Sequence, residues 1–150
     1  MDLKDLKDLK DPNDLKDLKD PKKNIIIMSK IYFNTRDELV CIDTTKIAAV
    51  QANGNYSKVL YISNRELTIN SSLSNMEQTL KSQGGKSSRF IRLGRSFIIN
   101  HAFLQRIDIL KQQLVLSDGE RNELVIKLPK NILKSYKNAV AQSIKIKANS

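Results

Sequence analysis

The sequence predicts a mainly β protein of one domain, with one helix in mid-chain and another at the C-terminal end. Three observations predict it. From Lys30 onward, short runs rich in β-branched and aromatic residues alternate with turn signals. Helical spacing appears at two places only, Leu73–Met76–Leu80 and Ile132–Tyr136–Val140–Ile144. The chain has 150 residues, enough for one hydrophobic core and tight for two.

The domain is expected to occupy residues 30–147, behind a low-complexity leader at residues 1–24. From Asp2 to Lys22 the leader repeats Asp-Leu-Lys, with Pro12 and Pro21 taking the leucine place in two units. A period of three does not match the helical turn, so its leucines form no stripe, and Pro12 would interrupt a helix. Such a composition buries no core face and reads as a flexible leader; a charged arm that docks on a partner helix is the competing reading.

Strand-like runs follow at Ile31–Phe33, Leu39–Ile42, Ile47–Gln51, Tyr56–Ile62 and Glu66–Ile69. Asn53-Gly54-Asn55 reads as a tight turn because Asn and Gly tolerate positive φ, and Ser63-Asn64-Arg65 closes the next hairpin. The first helix starts behind Ser71, Ser72 and Ser74 and stops at Gly84-Gly85. Further strands are expected at Arg89–Arg92, Phe97–Ile99 and Leu104–Leu110. A hairpin then pairs Leu114–Leu116 with Leu124–Leu128 across Ser117–Gly119. Pro129 suits the first turn of the last helix, on which Lys130, Lys134 and Lys137 lie off the apolar stripe.

Charge narrows the function. The net charge is +10, yet the first 24 residues hold seven Asp and seven Lys and contribute nothing to it. The other 126 carry 19 Lys or Arg against nine Asp or Glu, a balance that calls for an anionic partner, most commonly a phosphate backbone. The longest strictly apolar run is Ile25–Met28, far short of a bilayer span, so no membrane partner is expected. No secretory signal is readable, and a lone cysteine, Cys41, favours a reducing cytoplasm. One His and one Cys leave a metal site short of ligands, and no cofactor is expected.

Enzymatic motifs fail on inspection. Gly84-Gly85-Lys86-Ser87 imitates the end of a phosphate loop, but Leu80 stands where the earlier Gly is required, and the stretch follows a helix rather than a strand. Cys41 and His101 could suggest a thiol and base, but Cys41 sits between Val40 and Ile42 and reads as a buried inert thiol. No two carboxylates have a spacing that implies acid–base work. An enzyme is not expected.

The basic run Lys86–Arg95 is the sharpest local feature. Lys86, Arg89, Arg92 and Arg95 recur every three residues among Phe90, Ile91 and Leu93. In a strand these cations cannot share a face unless the strand ends near Arg92 and a loop presents Arg95. A solvated basic edge would also account for them. Beside the small residues Gly94 and Ser96, phosphate contact accounts for them better.

Two motifs resemble a known family. Val50-Gln51-Ala52-Asn53-Gly54-Asn55-Tyr56-Ser57-Lys58 is similar to the strand–turn–strand motif of the LytTR-type DNA-binding domain of bacterial transcription regulators. Phe90-Ile91-Arg92-Leu93-Gly94-Arg95-Ser96-Phe97-Ile98-Ile99-Asn100 resembles its central signature, Phe-x-Arg-x-His-Arg-Ser-Phe/Tyr-x-x-Asn. The likeness runs from about Ile31 to Tyr136, with the Leu73–Leu80 helix in the right place. It implies an elongated stack of short antiparallel sheets, and duplex DNA read in successive major grooves by loops and strand ends. Three loops would make contact: Asn53, Asn55, Ser57 and Lys58 in the first; Arg92, Arg95 and Ser96 in the second; Lys127, Lys130, Asn131 and Lys134 in the third. Phe97, Ile99 and Asn100 would hold the second loop in place.

This sequence has Gly94 where the family usually has His, and Pro129-Lys130-Asn131 in place of Ser-Arg-Arg character. Lys is a point charge that does not fork onto guanine as Arg does. Members of the family usually follow a receiver domain, for which the roughly 30 residues before this domain leave no room. The chain therefore resembles a stand-alone regulator or a fragment of a longer one. The resemblance further implies binding of direct-repeat promoter sites as a homodimer on DNA, with an unidentified sensor or protein partner. The rival functions are an RNA- or single-strand-binding module, and a basic protein-interaction domain.

Overall fold

A computed structural model of the chain describes residues 29–84 and 89–149. The leader and Lys86 lie outside the described residues. Among the described residues, ten strands form three antiparallel sheets. The first is a hairpin of β1 (Lys30–Asn34) and β2 (Leu39–Asp43). The second and largest has β3 (Ile47–Asn53), β4 (Tyr56–Tyr61), β5 (Glu66–Ile69), β6 (Phe90–Leu93) and β7 (Phe97–Asn100), in the order β5-β4-β3-β7-β6. The third contains β8 (Leu104–Asp108), β9 (Gln113–Ser117) and β10 (Glu123–Lys127), in the order β10-β9-β8. Helix α1 (Leu73–Gly84) interrupts the strands in mid-chain and α2 (Lys130–Asn149) ends them. The mainly β class and both helices therefore agree with the sequence reading.

The large sheet is buried on both faces, and the period of two decides which residue goes where. Val50, Val59 and Ile98 join Ile31 and Ile42 of the hairpin and Leu73, Met76 and Leu80 of α1 in one core. Their neighbours Ala49, Leu60 and Ile99 face the other way, onto Leu114, Leu116 and Ile126 of the third sheet and Leu133 and Tyr136 of α2. The result is three layers, hairpin with α1, large sheet, third sheet with α2. Among the described residues no helix is long and apolar enough to cross a membrane.

Four expectations need correction. Cys41 is exposed, because β2 is a half-buried strand that turns Val40 and Ile42 inward and the residue between them outward. On α2, Ile144 is 61% exposed, while Leu133 is fully buried. Each four-residue step overshoots a helical turn by about 40°, so three steps carry Ile144 about 120° from Ile132. β8 ends at Asp108, and Ile109–Gln112 form its turn, with Gln112 at φ 54. The β9–β10 turn is longer than Ser117–Gly119 because Asp118 caps it, accepting from the amides of Glu120 and Asn122.

Two short 3-10 turns redirect the chain between layers. Asp43 caps Thr44–Lys46, and Asn100 caps His101–Phe103. His101 Nδ1 lies 2.6 Å from the Tyr136 hydroxyl, joining the second turn to α2. Burial pushes the Tyr136 phenol well above its ordinary value, so it stays protonated. Cys41 lies on the hairpin and His101 against α2, so the structure does not assemble them into a thiol–base pair.

Candidate nucleic-acid interface

β3 and β4 are joined by the two-residue turn Gly54-Asn55, between the paired residues Asn53 and Tyr56. Gly54 has φ +63, which suits a hairpin turn with Gly at its first central position. Asn53, Asn55 and Tyr56 are exposed at the tip. Lys58 points out from the strand behind it and lies 3.7 Å from Glu66, a loose surface pair. Ser57 is different. It is fully buried, and its hydroxyl donates to the carbonyl of Ser71 at 2.6 Å, just before α1. The structure gives this side chain to the fold and withdraws it from the surface.

The turn between β6 and β7 lies at the same end of the large sheet. β3 ends where the antiparallel β7 begins, and the Ala52 amide donates to the Ser96 carbonyl at 2.8 Å. The first and second loops are thereby tied side by side. Arg95 and Ser96 are exposed on this turn. Gly94 has φ +67, and a Cβ placed on it would stand 2.7 Å from Ile132 Cδ1. The left-handed backbone explains a glycine here; the isoleucine fills the space a side chain would take. Through this contact the second loop abuts the first turn of α2.

That first turn completes the set. Lys127, Lys130, Asn131 and Lys134 are all exposed, around the junction of β10 with α2. The three loops therefore form one continuous series: first against second through Ala52 and Ser96, second against third through Gly94 and Ile132.

Arg92 is half-buried and turned toward α1. Alternation on β6 puts Phe90 and Arg92 on the α1 face and Ile91 and Leu93 on the other. The Arg92 guanidinium donates to Glu77 Oε1 at 3.0 Å, to the Gly94 carbonyl at 2.9 Å and to the Arg95 carbonyl at 3.3 Å. Each of its three nitrogens donates to the protein. Glu77 also receives Lys81 at 2.8 Å, and this pairing, followed by Arg92, holds its carboxyl below the usual range. Sequence reading missed Glu77, Ile132 and Tyr56. Glu77 left a signal, as the single acid on α1.

Gly94→Ala is expected to lower stability by about 1–2 kcal/mol, from the left-handed backbone and the contact with Ile132. Thermal unfolding checks it. Ile132→Ala costs packing of its own, but in that background the added cost of Gly94→Ala should shrink only in part, because the contact goes and the left-handed backbone stays.

The model of the LytTr DNA-binding domain family matches residues 37–140. A search of curated proteins finds no match. Among solved structures, the chain is similar to the LytTr DNA-binding domain of a methyl-accepting/DNA response regulator from Bacillus cereus. The identity is 19% and the TM-score 0.50, over 74% of this chain and 95% of that one. At that identity the likeness speaks for the fold alone.

Proposed function

The chain belongs to the LytTr DNA-binding domain family, a family of DNA-binding and not of enzymatic domains, and from this we propose sequence-specific recognition of duplex DNA by the three joined loops. The observation that carries the reading is their continuity along one end of the large sheet, with Asn53, Asn55, Arg95, Ser96, Lys130 and Asn131 all exposed. Asn and Arg side chains are the groups that pair bidentately with adenine and guanine edges. Lys58, Lys127, Lys130 and Lys134 supply phosphate contacts and Arg95 reaches both guanine and phosphate; the phosphate contacts position the protein without reading sequence. Ser57 and Arg92 act from behind, the first anchoring the start of α1 and the second bracing the central turn.

In this reading the protein is a cytoplasmic transcription regulator. It binds direct repeats as a pair of copies and takes its input from a sensor or partner protein. The domain occupies residues 30–147, behind the Asp-Leu-Lys repeat at residues 1–24. An RNA- or single-strand binder would need aromatic platforms on an open face. Tyr56 supplies one exposed ring at the loop tips, while Phe90 and Phe97 pack against the cores.

Competition decides between them. Duplex oligonucleotides should displace a bound duplex well before single strands of the same sequence do. Arg95→Ala should weaken specific duplex binding by about 2 kcal/mol, close to 30-fold, with the fold intact. Stronger competition by single strands, or full affinity in Arg95→Ala, would reject the loop assignment.

A further inference from the structure

We propose that Glu77 is the positioning residue of the DNA-contacting turn at Gly94–Ser96, acting through Arg92. The proposal rests on the reading that this turn meets DNA, and it assigns to an acid on α1 the setting of that turn.

Glu77 stands in a setting that otherwise excludes acids. Between Glu66 and Asp108 it is the single Asp or Glu, in a stretch holding six Lys or Arg. A carboxylate there opposes phosphate binding by simple charge. Its oxygens are divided: Oε1 takes Arg92 at 3.0 Å and Oε2 takes Lys81 at 2.8 Å. Arg92, anchored at that end, donates through Nε and Nη2 to the carbonyls of Gly94 and Arg95. Those carbonyls belong to the turn that displays Arg95 and Ser96. The guanidinium is planar and its donors are fixed in direction, so fixing one edge on Glu77 aims the others. With Glu77 gone, a guanidinium whose side chain is already 26% exposed is free to swing to water or to phosphate, and the turn loses its brace.

Charge and positioning predict opposite signs, which makes the proposal decidable. Removing a negative charge from a basic face strengthens binding to any duplex. Losing the brace weakens binding to the recognised sequence and leaves non-specific binding untouched. A partly exposed ion pair contributes only modestly to stability, so the variant should fold.

The probes are a duplex enriched by the wild-type chain from a random library and a duplex of random sequence, each titrated with the full chain. Glu77→Ala should bind the enriched duplex more weakly, on the order of ten-fold, and the random duplex as well or better. Glu77→Gln, whose amide oxygen still accepts from Arg92, should recover most of the loss. Equal or tighter binding of Glu77→Ala to the enriched duplex would overturn the proposal. A second arm needs no DNA. In the free chain, Glu77→Ala should speed proton exchange at Arg92 Nε several-fold and shift the amide signals of residues 94–96. An unchanged spectrum would also overturn it. Should the wild-type chain bind neither duplex, the DNA reading falls, and the free-chain spectrum alone decides whether Glu77 sets the turn.

Discussion

Asn100→Ala is expected to destabilise the domain by about 3 kcal/mol and lower its Tm by roughly 10 °C. Asn100 is 1% exposed, and both ends of its amide are used. Nδ2 donates to the Ile47 carbonyl at 2.9 Å and Oδ1 accepts from the Ala102 amide at 3.0 Å. The Ile47 carbonyl has special need of this donor. β3 shifts register between Ile47 and Ala49, and its pairing with β7 begins only at Ala49. A side chain from 53 residues away fills the gap left in the ladder. Alanine would leave a buried acceptor unpaired and would uncap the 3-10 turn that carries His101 toward Tyr136. Asn100→Asp should be worse, since it sets a buried carboxylate against a carbonyl. Thermal melts of the two variants beside the wild type check both statements; an unchanged Tm for Asn100→Ala would mean that water replaces the amide.

The place of Asn100 also marks the limit of what one sequence discloses. Local features were legible: turn residues at Asn53–Asn55, the helical spacing of Leu73, Met76 and Leu80, and a strand ending beside Arg92 so that a turn presents Arg95. Pairing between distant segments was not. Nothing in the composition of β3 says that its second partner is β7, and the joining of the loops at Ala52 and Ser96 follows from that pairing alone. The same blindness affected two candidate contacts. Ser57 sits in a polar turn motif and reads as a donor to a ligand, yet it lies two residues from buried Val59, on the face that α1 covers. Arg92 could be placed on one side of its strand with Phe90, but the acid facing that side lies 15 residues earlier on α1. Periodicity assigns a face to each side chain; tertiary packing assigns that face to water or to protein.

Salt dependence tests the binding mode most severely, and its effect is the largest expected here. With Arg92 committed to Glu77 and the turn carbonyls, the cations left at the three loops are Lys58, Arg95, Lys127, Lys130 and Lys134. Five phosphate contacts imply a slope of log K against log salt between about −4 and −5 on duplex DNA. Raising salt from about 50 to 200 mM should then weaken binding roughly 250- to 1000-fold. Lys130→Ala should make the slope shallower by about one, nearly independently of sequence. Arg92→Ala should behave otherwise: it should cost affinity for a recognised duplex while leaving the slope close to that of the wild type, because its charge is not spent on phosphate. A flat salt response would remove DNA as the partner. A slope that falls by one in Arg92→Ala would instead place that guanidinium on the phosphate backbone, and the turn would then need another brace.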